Sequence, residues 1–237
     1  MINKILLVND DGIYADSFKK TIEAFKNLGY QITICAPLHQ QSAKSHAIEI
    51  REKILIKRIY DYQGIEAYAI DAPPADCVRF AKYYLKWDGD LVVSGINNGA
   101  NLGDDILYSG TIGAAAEAGI RGYNALALSA GFGKAERCTS KLKEIMDFIE
   151  ENKLFSKWPI WSINVPKDAK EFKFAHQGNV NFDTYFFEEE KDNYKQLGSP
   201  HHELDNDPNS DVYLYSRNFI TYSPIDWDRT CCEKVKE

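Results

Sequence analysis

Little in this chain of 237 residues points to a membrane, an oxidising compartment or a nucleic-acid polymer. No stretch approaches the roughly 20 consecutive apolar residues that a spanning helix needs. The first apolar run, Ile5 to Val8, ends after four residues in Asn9, Asp10 and Asp11, which excludes the apolar core of a signal peptide. Basic side chains are in the minority: 28 Lys and Arg stand against 35 Asp and Glu, a formal net charge of −7. That balance argues against binding to nucleic acid or to an anionic membrane surface. An acidic chain can still hold a phosphate, but only through a local device such as a metal, a helix N-terminus or a few basic residues. Cysteines are few and scattered. Cys35, Cys77, Cys138, Cys231 and Cys232 are odd in number and lack metal-ligand spacing, which predicts a reducing, cytoplasmic setting. No internal repeat and no low-complexity tract is visible.

What is present suffices for one large α/β domain or a core domain with an appendage: 44% of residues are hydrophobic and 27% charged. The short, unalternated run Ile5 to Val8 reads as a strand buried on both faces. Phe18, Ile22, Phe25 and Leu28 recur at helical spacing over Ser17 to Leu28, and Gly29 closes that helix. Gln31 to Ala36 is a second strand, so the chain opens β-α-β, which predicts a parallel pair with a right-handed crossover. Glu49 to Lys57 and Ile65 to Ile70 read as a strand pair projecting from the sheet. Further helices are expected over Ala75 to Leu85, Ile112 to Ile120 and Ser140 to Glu150. Further strands are expected over Leu91 to Ser94, Ala125 to Ser129 and Ile160 to Val165. Beyond Pro166 the pattern changes to short extended pieces, Phe172 to Ala175 and Val212 to Tyr215, around the aromatic, acidic stretch YFFEEEKDNY. The expected division is therefore a Rossmann-like three-layer core with a mostly parallel sheet over 1–166, with the strand pair at about 48–70, and a β-rich extended region over 167–237. Such arms commonly join copies of a chain. Glu188 to Glu190 read as a solvated charge run and His201-His202 as an exposed loop, since neither has partners at metal spacing.

The chemistry-bearing residues fall just after strands. Asp10 and Asp11 follow the first strand, Ser42 lies in the long polar loop after the second, and Asn97 follows the strand VVSG. Two readings stand side by side for the aspartate pair. Adjacent carboxylates repel, and a bound cation would keep both ionised; alternatively, they only cap a turn with Gly12. If the three strands are parallel neighbours, their loops meet at one edge of the sheet. That set is oxygen-only, which suits Mg²⁺ or Mn²⁺ and poorly suits zinc. The segment GINNGANLGDDILYSGT then places Ser109, Gly110 and Thr111 at the start of a helix. Plain N-capping is one use of those residues, and an anion site built from hydroxyls and free N–H groups is the other. The segment is neither a P-loop nor the dinucleotide fingerprint. A metal beside a phosphate cradle is a phosphohydrolase constellation.

The runs ILLVNDDGI, APLHQQS, PADCV, DLVVSGINNGANLGDDILYSGT and SINVP, followed by SPIDWDRT, resemble in this order the SurE family of metal-dependent nucleoside-monophosphate phosphatases. The resemblance spans nearly the whole chain and is most specific over Asn97 to Thr111. It implies one divalent cation per subunit, Mg²⁺ or Mn²⁺, on Asp10, Asp11, Ser42 and Asn97. It implies phosphate contacts by Asn101, Ser109, Gly110 and Thr111, and homodimers or tetramers that exchange C-terminal extensions. This chain departs from the family in the loop Leu38-His39-Gln40-Gln41-Ser42-Ala43, where the usual basic side chains and the glycine after the serine are absent. Ala47 and Glu49 replace hydroxyl residues, and Ala72-Pro73-Pro74 replaces Gly-Thr-Pro.

The reaction expected from these residues is hydrolysis of nucleoside 5′-monophosphates, with 3′-nucleotides as a second substrate class, by a metal-oriented water. Asp10 is the expected proton acceptor, and Asn101 is expected to offset phosphoryl charge. Direct attack by an aspartate is the chemical alternative. A non-catalytic metal- or nucleotide-binding assembly protein is the functional one. A receiver domain would need an acceptor aspartate after its third strand, and VVSG ends without one. A haloacid-dehalogenase-type phosphatase would need Asp-x-Asp where Asp10-Asp11-Gly12 stands.

Overall fold

The computed structural model describes residues 2–201 and 205–228. Cys231, Cys232, His202 and the Arg229-Thr230 end of the C-terminal motif lie outside them. Strand β1 (Lys4–Val8), helix α1 (Asp16–Asn27) and strand β2 (Gln31–Pro37) form the opening unit, with β1 and β2 parallel. Next come β3 (Ile56–Tyr62), β4 (Ile65–Ile70), α2 (Pro74–Tyr83) and β5 (Leu91–Asn98). A short 3₁₀ turn (Gly103–Leu107) leads into α3 (Gly110–Ile120) and β6 (Asn124–Ala130). Helices α4 (Ala135–Ser140), α5 (Leu142–Glu151) and α6 (Leu154–Lys157) precede β7 (Ile160–Val165) and β8 (Phe172–Phe174). The chain then makes the hairpin β9 (Asn181–Glu190) and β10 (Asn193–His201), helix α7 (Asp211–Ser216) and strand β11 (Ile220–Pro224).

The main sheet has nine strands in the order β3-β4-β2-β1-β5-β6-β7-β11-β8. Of its eight pairings, only β3 with β4 and β7 with β11 are antiparallel. Strand β1 is central, and its unbroken apolar run is buried on both sides. Ile5 and Leu7 join one apolar cluster with Phe18, Ile22 and Phe25 of α1 and Ile145 of α5. Leu6 and Val8 join a second with Val78 of α2 and Ile112 and Ala115 of α3. A period of two along the strand thus sends alternate side chains into the two helical layers. The molecule is a three-layer α/β structure with a Rossmann-like, mostly parallel sheet.

Several expectations are corrected. The strand pair at 48–70 does not project. Strand β4 pairs in parallel with β2 and extends the sheet at its edge. Strand β3 starts at Ile56 because the Glu49 carboxylate accepts the Arg51 and Glu52 N–H groups and curls that segment into a turn. The helix expected over Ser140 to Glu150 is α5, and the short α4, not expected from the sequence, precedes it and ends at Ser140. Val212 to Tyr215 alternates like a strand, yet it lies in α7. The Ser210 hydroxyl accepts the Tyr213 N–H at 3.0 Å, an N-cap that starts a helix there. The core sheet also continues past residue 166, since β11 pairs with β7 and carries β8 beside it. Only β9 and β10 stand apart, as a two-stranded sheet on which Glu188 to Glu190 are exposed.

Phe18 is fully buried between α1 and the sheet. Phe18→Ala is expected to lower the unfolding free energy by about 3–5 kcal/mol. Urea denaturation reads this; a loss below about 1 kcal/mol would mean that the α1 layer is not packed as described.

Candidate active site

Strands β1, β2 and β5 are parallel neighbours, so their carboxyl ends open on one edge. Asp10, Asp11, Ser42, Asn97, Asn101 and Ser109 all line one cleft of about 290 Å³ at that edge. Asn97 reaches it through a bulge. The pairing of β5 with β6 slips register between Ser94 and Asn97. Gly95, at φ +128°, permits this bulge: a Cβ there would lie 2.2 Å from the Leu128 carbonyl oxygen.

Asp10 is only 4% exposed. Its Oδ1 accepts the Thr111 hydroxyl at 2.8 Å, and its backbone carbonyl accepts the Gln41 N–H at 2.7 Å. Burial, with the neighbouring Asp11 charge adding to it, pushes its carboxyl up to about 6. Burial also raises Asp11, against the Asn98 backbone N–H and the Ser17 hydroxyl, which favour its charged form. The turn between β1 and α1 is closed by Asn9, whose Nδ2 donates to the Gly12 carbonyl at 2.9 Å. Among the described residues no lysine, arginine or histidine lines this cleft. Nor do three or more His, Cys, Asp or Glu of the described residues cluster at metal-binding distance. Two partly dehydrated carboxylates, with Asp105 a third carboxylate in the lining, neutral oxygens beside them and no basic side chain among the described lining residues, fit a hard divalent cation. The Asn97 Nδ2 donates to the Gly99 carbonyl at 2.8 Å, which leaves its oxygen as the donor atom for such an ion. Ser42 is exposed in its loop and accepts from Gln40 at 3.0 Å.

Asn101 is fixed on three sides. Its N–H donates to Asn164 Oδ1 at 2.8 Å, its carbonyl accepts from Asn164 Nδ2 at 3.0 Å, and its own Nδ2 donates to Ser129 Oγ at 2.8 Å. Asn164 and Ser129 were not singled out in the sequence. The only signal was their position near the ends of β7 and β6, the strands that follow β5 in the sheet. Ser109 caps α3, accepting the Ile112 N–H at 3.1 Å, and a hydroxyl used as an acceptor keeps its own proton to donate.

Gly110 and Thr111, expected at the phosphate, form the first turn of α3 directly against Asp10. Thr111 is fully buried with its hydroxyl on the carboxylate. A Cβ at Gly110 would sit 3.1 Å from the Asp10 Cβ, a tight contact that glycine avoids where α3 begins against the aspartate. Ala43 adopts φ +57°. That left-handed conformation suits the glycine expected from the resemblance, and an alanine holds it at a cost of about 1 kcal/mol.

Comparisons with known proteins point to one family. The family model described as survival protein SurE matches residues 5–184. The 5′-nucleotidase SurE of Clostridium botulinum (strain 657 / Type Ba4) is 36% identical over 241 residues, 95% of this chain and 94% of its own length. That of Caldanaerobacter subterraneus subsp. tengcongensis is 32% identical over 98% of this chain and 95% of its own. The crystal structure of the SurE protein from Aquifex aeolicus is similar at a TM-score of 0.77 and 26% identity, covering 97% of this chain and 96% of that one.

The buried Asp10 gives the chelated protein a pH signature. Its carboxyl rises from 3.8 to about 6 on folding, so the folded chain binds this proton more tightly than the unfolded one. The associated stability is fully present below about pH 4 and is lost as the pH rises through about 6. Two pKa units correspond to about 3 kcal/mol at most. With chelator present, Asp10→Asn is therefore expected to be about 1–3 kcal/mol more stable than wild type at pH 8 and equal to it near pH 4. Urea unfolding at both pH values reads this; equal stability at pH 8 would remove the electrostatic account.

Proposed function

The chain belongs to the SurE family, and from that premise we propose that it is a metal-dependent 5′-nucleotidase, a phosphatase that hydrolyses nucleoside monophosphates to nucleoside and phosphate. The observation that carries this reading is one cleft that holds the Asp10–Asp11 pair, the Ser42 and Asn97 oxygens and the Asn101–Ser109 donors, with no basic side chain among its described lining residues. Asp10, Asp11, Ser42 and Asn97 would hold a single Mg²⁺ or Mn²⁺. When bound, such an ion supplies Lewis-acid charge to the phosphoryl oxygens and acidifies water.

The chain's own groups do the remaining work. The Ser109 hydroxyl and the α3 N-terminus receive the phosphoryl group. Asn101, locked by Asn164 and Ser129, presents a preorganised face toward it. Asp10 accepts the proton of the attacking water, and Thr111 and Gly110 keep its carboxylate in place.

The same reading extends to partners and setting. A two-stranded hairpin is marginal alone, and β9–β10 exposes Tyr185, Phe186, Phe187 and Tyr194, which supports a second copy of this chain as partner in a dimer or tetramer. Cys35, Cys77 and Cys138 are buried free thiols, which supports a cytoplasmic location. No helix among the described residues is long and apolar enough to cross a membrane.

Phosphate release from a panel of 5′- and 3′-nucleoside monophosphates tests the proposal. Chelator is expected to abolish turnover, and Mg²⁺ or Mn²⁺ to restore it. Asp10→Asn is expected to lower kcat by at least about 100-fold, on the order of what one catalytic group supplies. Full metal-dependent turnover by Asp10→Asn, or nucleotide binding without any release by wild type, would overturn it.

A further inference from the structure

The rim of the catalytic cleft carries two aromatic side chains that the steps above leave unused. Phe132 is 82% exposed and Tyr108 63% exposed, and both line the cleft that holds Asp10 and Asn97. They come from separate segments, Phe132 from the turn after β6 and Tyr108 from the end of the 3₁₀ turn. A single exposed aromatic is ordinary on a protein surface. Two converging on one small cleft are not explained by core packing, and neither ring pairs with another aromatic ring among the described residues.

We propose that Phe132 is the platform on which the base of a nucleotide substrate stacks, with Tyr108 as a second aromatic wall. This rests on the nucleotidase reading and adds to it the means of base recognition. The turn that carries Phe132 is anchored to the reaction centre through its backbone. Gly133 N–H donates to Asn98 Oδ1 at 2.6 Å, and the Asn98 backbone N–H in turn bonds the Asp11 carboxylate. The backbone that carries the ring is thereby tied to the strand end that carries the carboxylate pair. On the other rim the Tyr108 carbonyl accepts the Ser45 N–H at 2.8 Å, which fixes the backbone and leaves the ring exposed. With no Lys, Arg or His among the described lining residues, the base gains from ring faces rather than from charge. Stacking tolerates every base because each has a π-face. The enzyme is accordingly broad among bases, with purines ahead of pyrimidines because their faces are larger.

The test compares wild type, Phe132→Ala and Phe132→Tyr on AMP, CMP and ribose 5-phosphate, which keeps the sugar phosphate and lacks the base. For Phe132→Ala the ratio of kcat/KM for AMP to that for ribose 5-phosphate is expected to fall about 5- to 100-fold. The change should reside in KM for AMP, and Phe132→Tyr should restore the ratio. An unmoved ratio overturns the proposal and puts the base elsewhere, the neighbouring cavity of about 730 Å³ that shares Asn101 and Ser109 with the cleft being the next place to look. Saturation-transfer NMR with adenosine alone needs no turnover. Transfer to the base protons that is lost in Phe132→Ala supports stacking; if wild type then hydrolyses no ester, it is the nucleotidase reading that fails, and Phe132 remains a base-binding residue without a substrate role. Equal transfer in the variant overturns it.

Discussion

Asp10 is a carboxylate that the fold buries next to a second carboxylate, and most of the surrounding structure can be understood as what makes that placement tolerable. Desolvation and the Asp11 charge both work against its ionised form. The Thr111 hydroxyl at 2.8 Å and the backbone N–H groups of Thr111 and Asp10 work for it, and burial outweighs them. A fully buried ion pair would have solved the problem within the chain. No cationic side chain of the described residues lines the cleft, and the imbalance is left open toward the solvent side. A site that keeps negative charge uncompensated at the edge of a sheet has stability to gain from any cation that enters, because binding to the folded state alone shifts the folding equilibrium.

Geometry then decides what else can stand there. Parallel pairing of β2, β1 and β5 puts three loops at one edge, and α3 begins against the aspartate. The composition of α3, GTIGAAAEAGI, is dictated by close approaches more than by helix propensity. A Cβ at Gly113 would lie 2.5 Å from the Ser45 carbonyl oxygen, and one at Gly119 would lie 2.4 Å from Ile160 Cδ1. Small residues therefore let the loop after β2 rest on one part of the helix and β7 on another. The helix that starts at the site also holds the loop carrying Ser42.

These facts explain which parts could be read from the residues and which could not. The double-sided burial of Ile5 to Val8 was legible because a strand without alternation has few other uses. The meeting of Asp10, Ser42 and Asn97 in one cleft followed once the strands were parallel, since loops at one sheet edge have nowhere else to go. Val212 to Tyr215 was misread because its alternation is a local pattern, whereas the Ser210 cap acts three residues away and needs the backbone already turned. The bond from the Thr111 hydroxyl to Asp10 is not legible, because nothing in the sequence says which way a side chain in the first turn of a helix points. Asn164 and Ser129 were silent for a similar reason. Their partner, Asn101, is 63 and 28 residues away, and only the strand order makes them neighbours.

The loop after β2 departs from the pattern of its family at several side chains, and its backbone anchors do not involve them. Besides the Gln40 side chain that donates to its hydroxyl, Ser42 is flanked by backbone anchors on both sides. Before it, the Gln41 N–H is held by the Asp10 carbonyl at 2.7 Å. After it, the Ser45 N–H is held by the Tyr108 carbonyl at 2.8 Å and the Ser45 hydroxyl by the Leu107 carbonyl at 2.6 Å. One residue further on, His46 Nε2 lies 2.9 Å from Glu117, a buried carboxylate on α3. Burial raises the Glu117 carboxyl, but the His46 and Arg79 hydrogen bonds and the Arg121 charge outweigh that and leave it below its usual range. Three of these four anchors use backbone groups or a serine hydroxyl bound to backbone, which substitution at Leu38 to Gln40 or at Ala43 leaves in place. The path of the loop is thus set by bonds that do not involve the side chains at which it departs from the family.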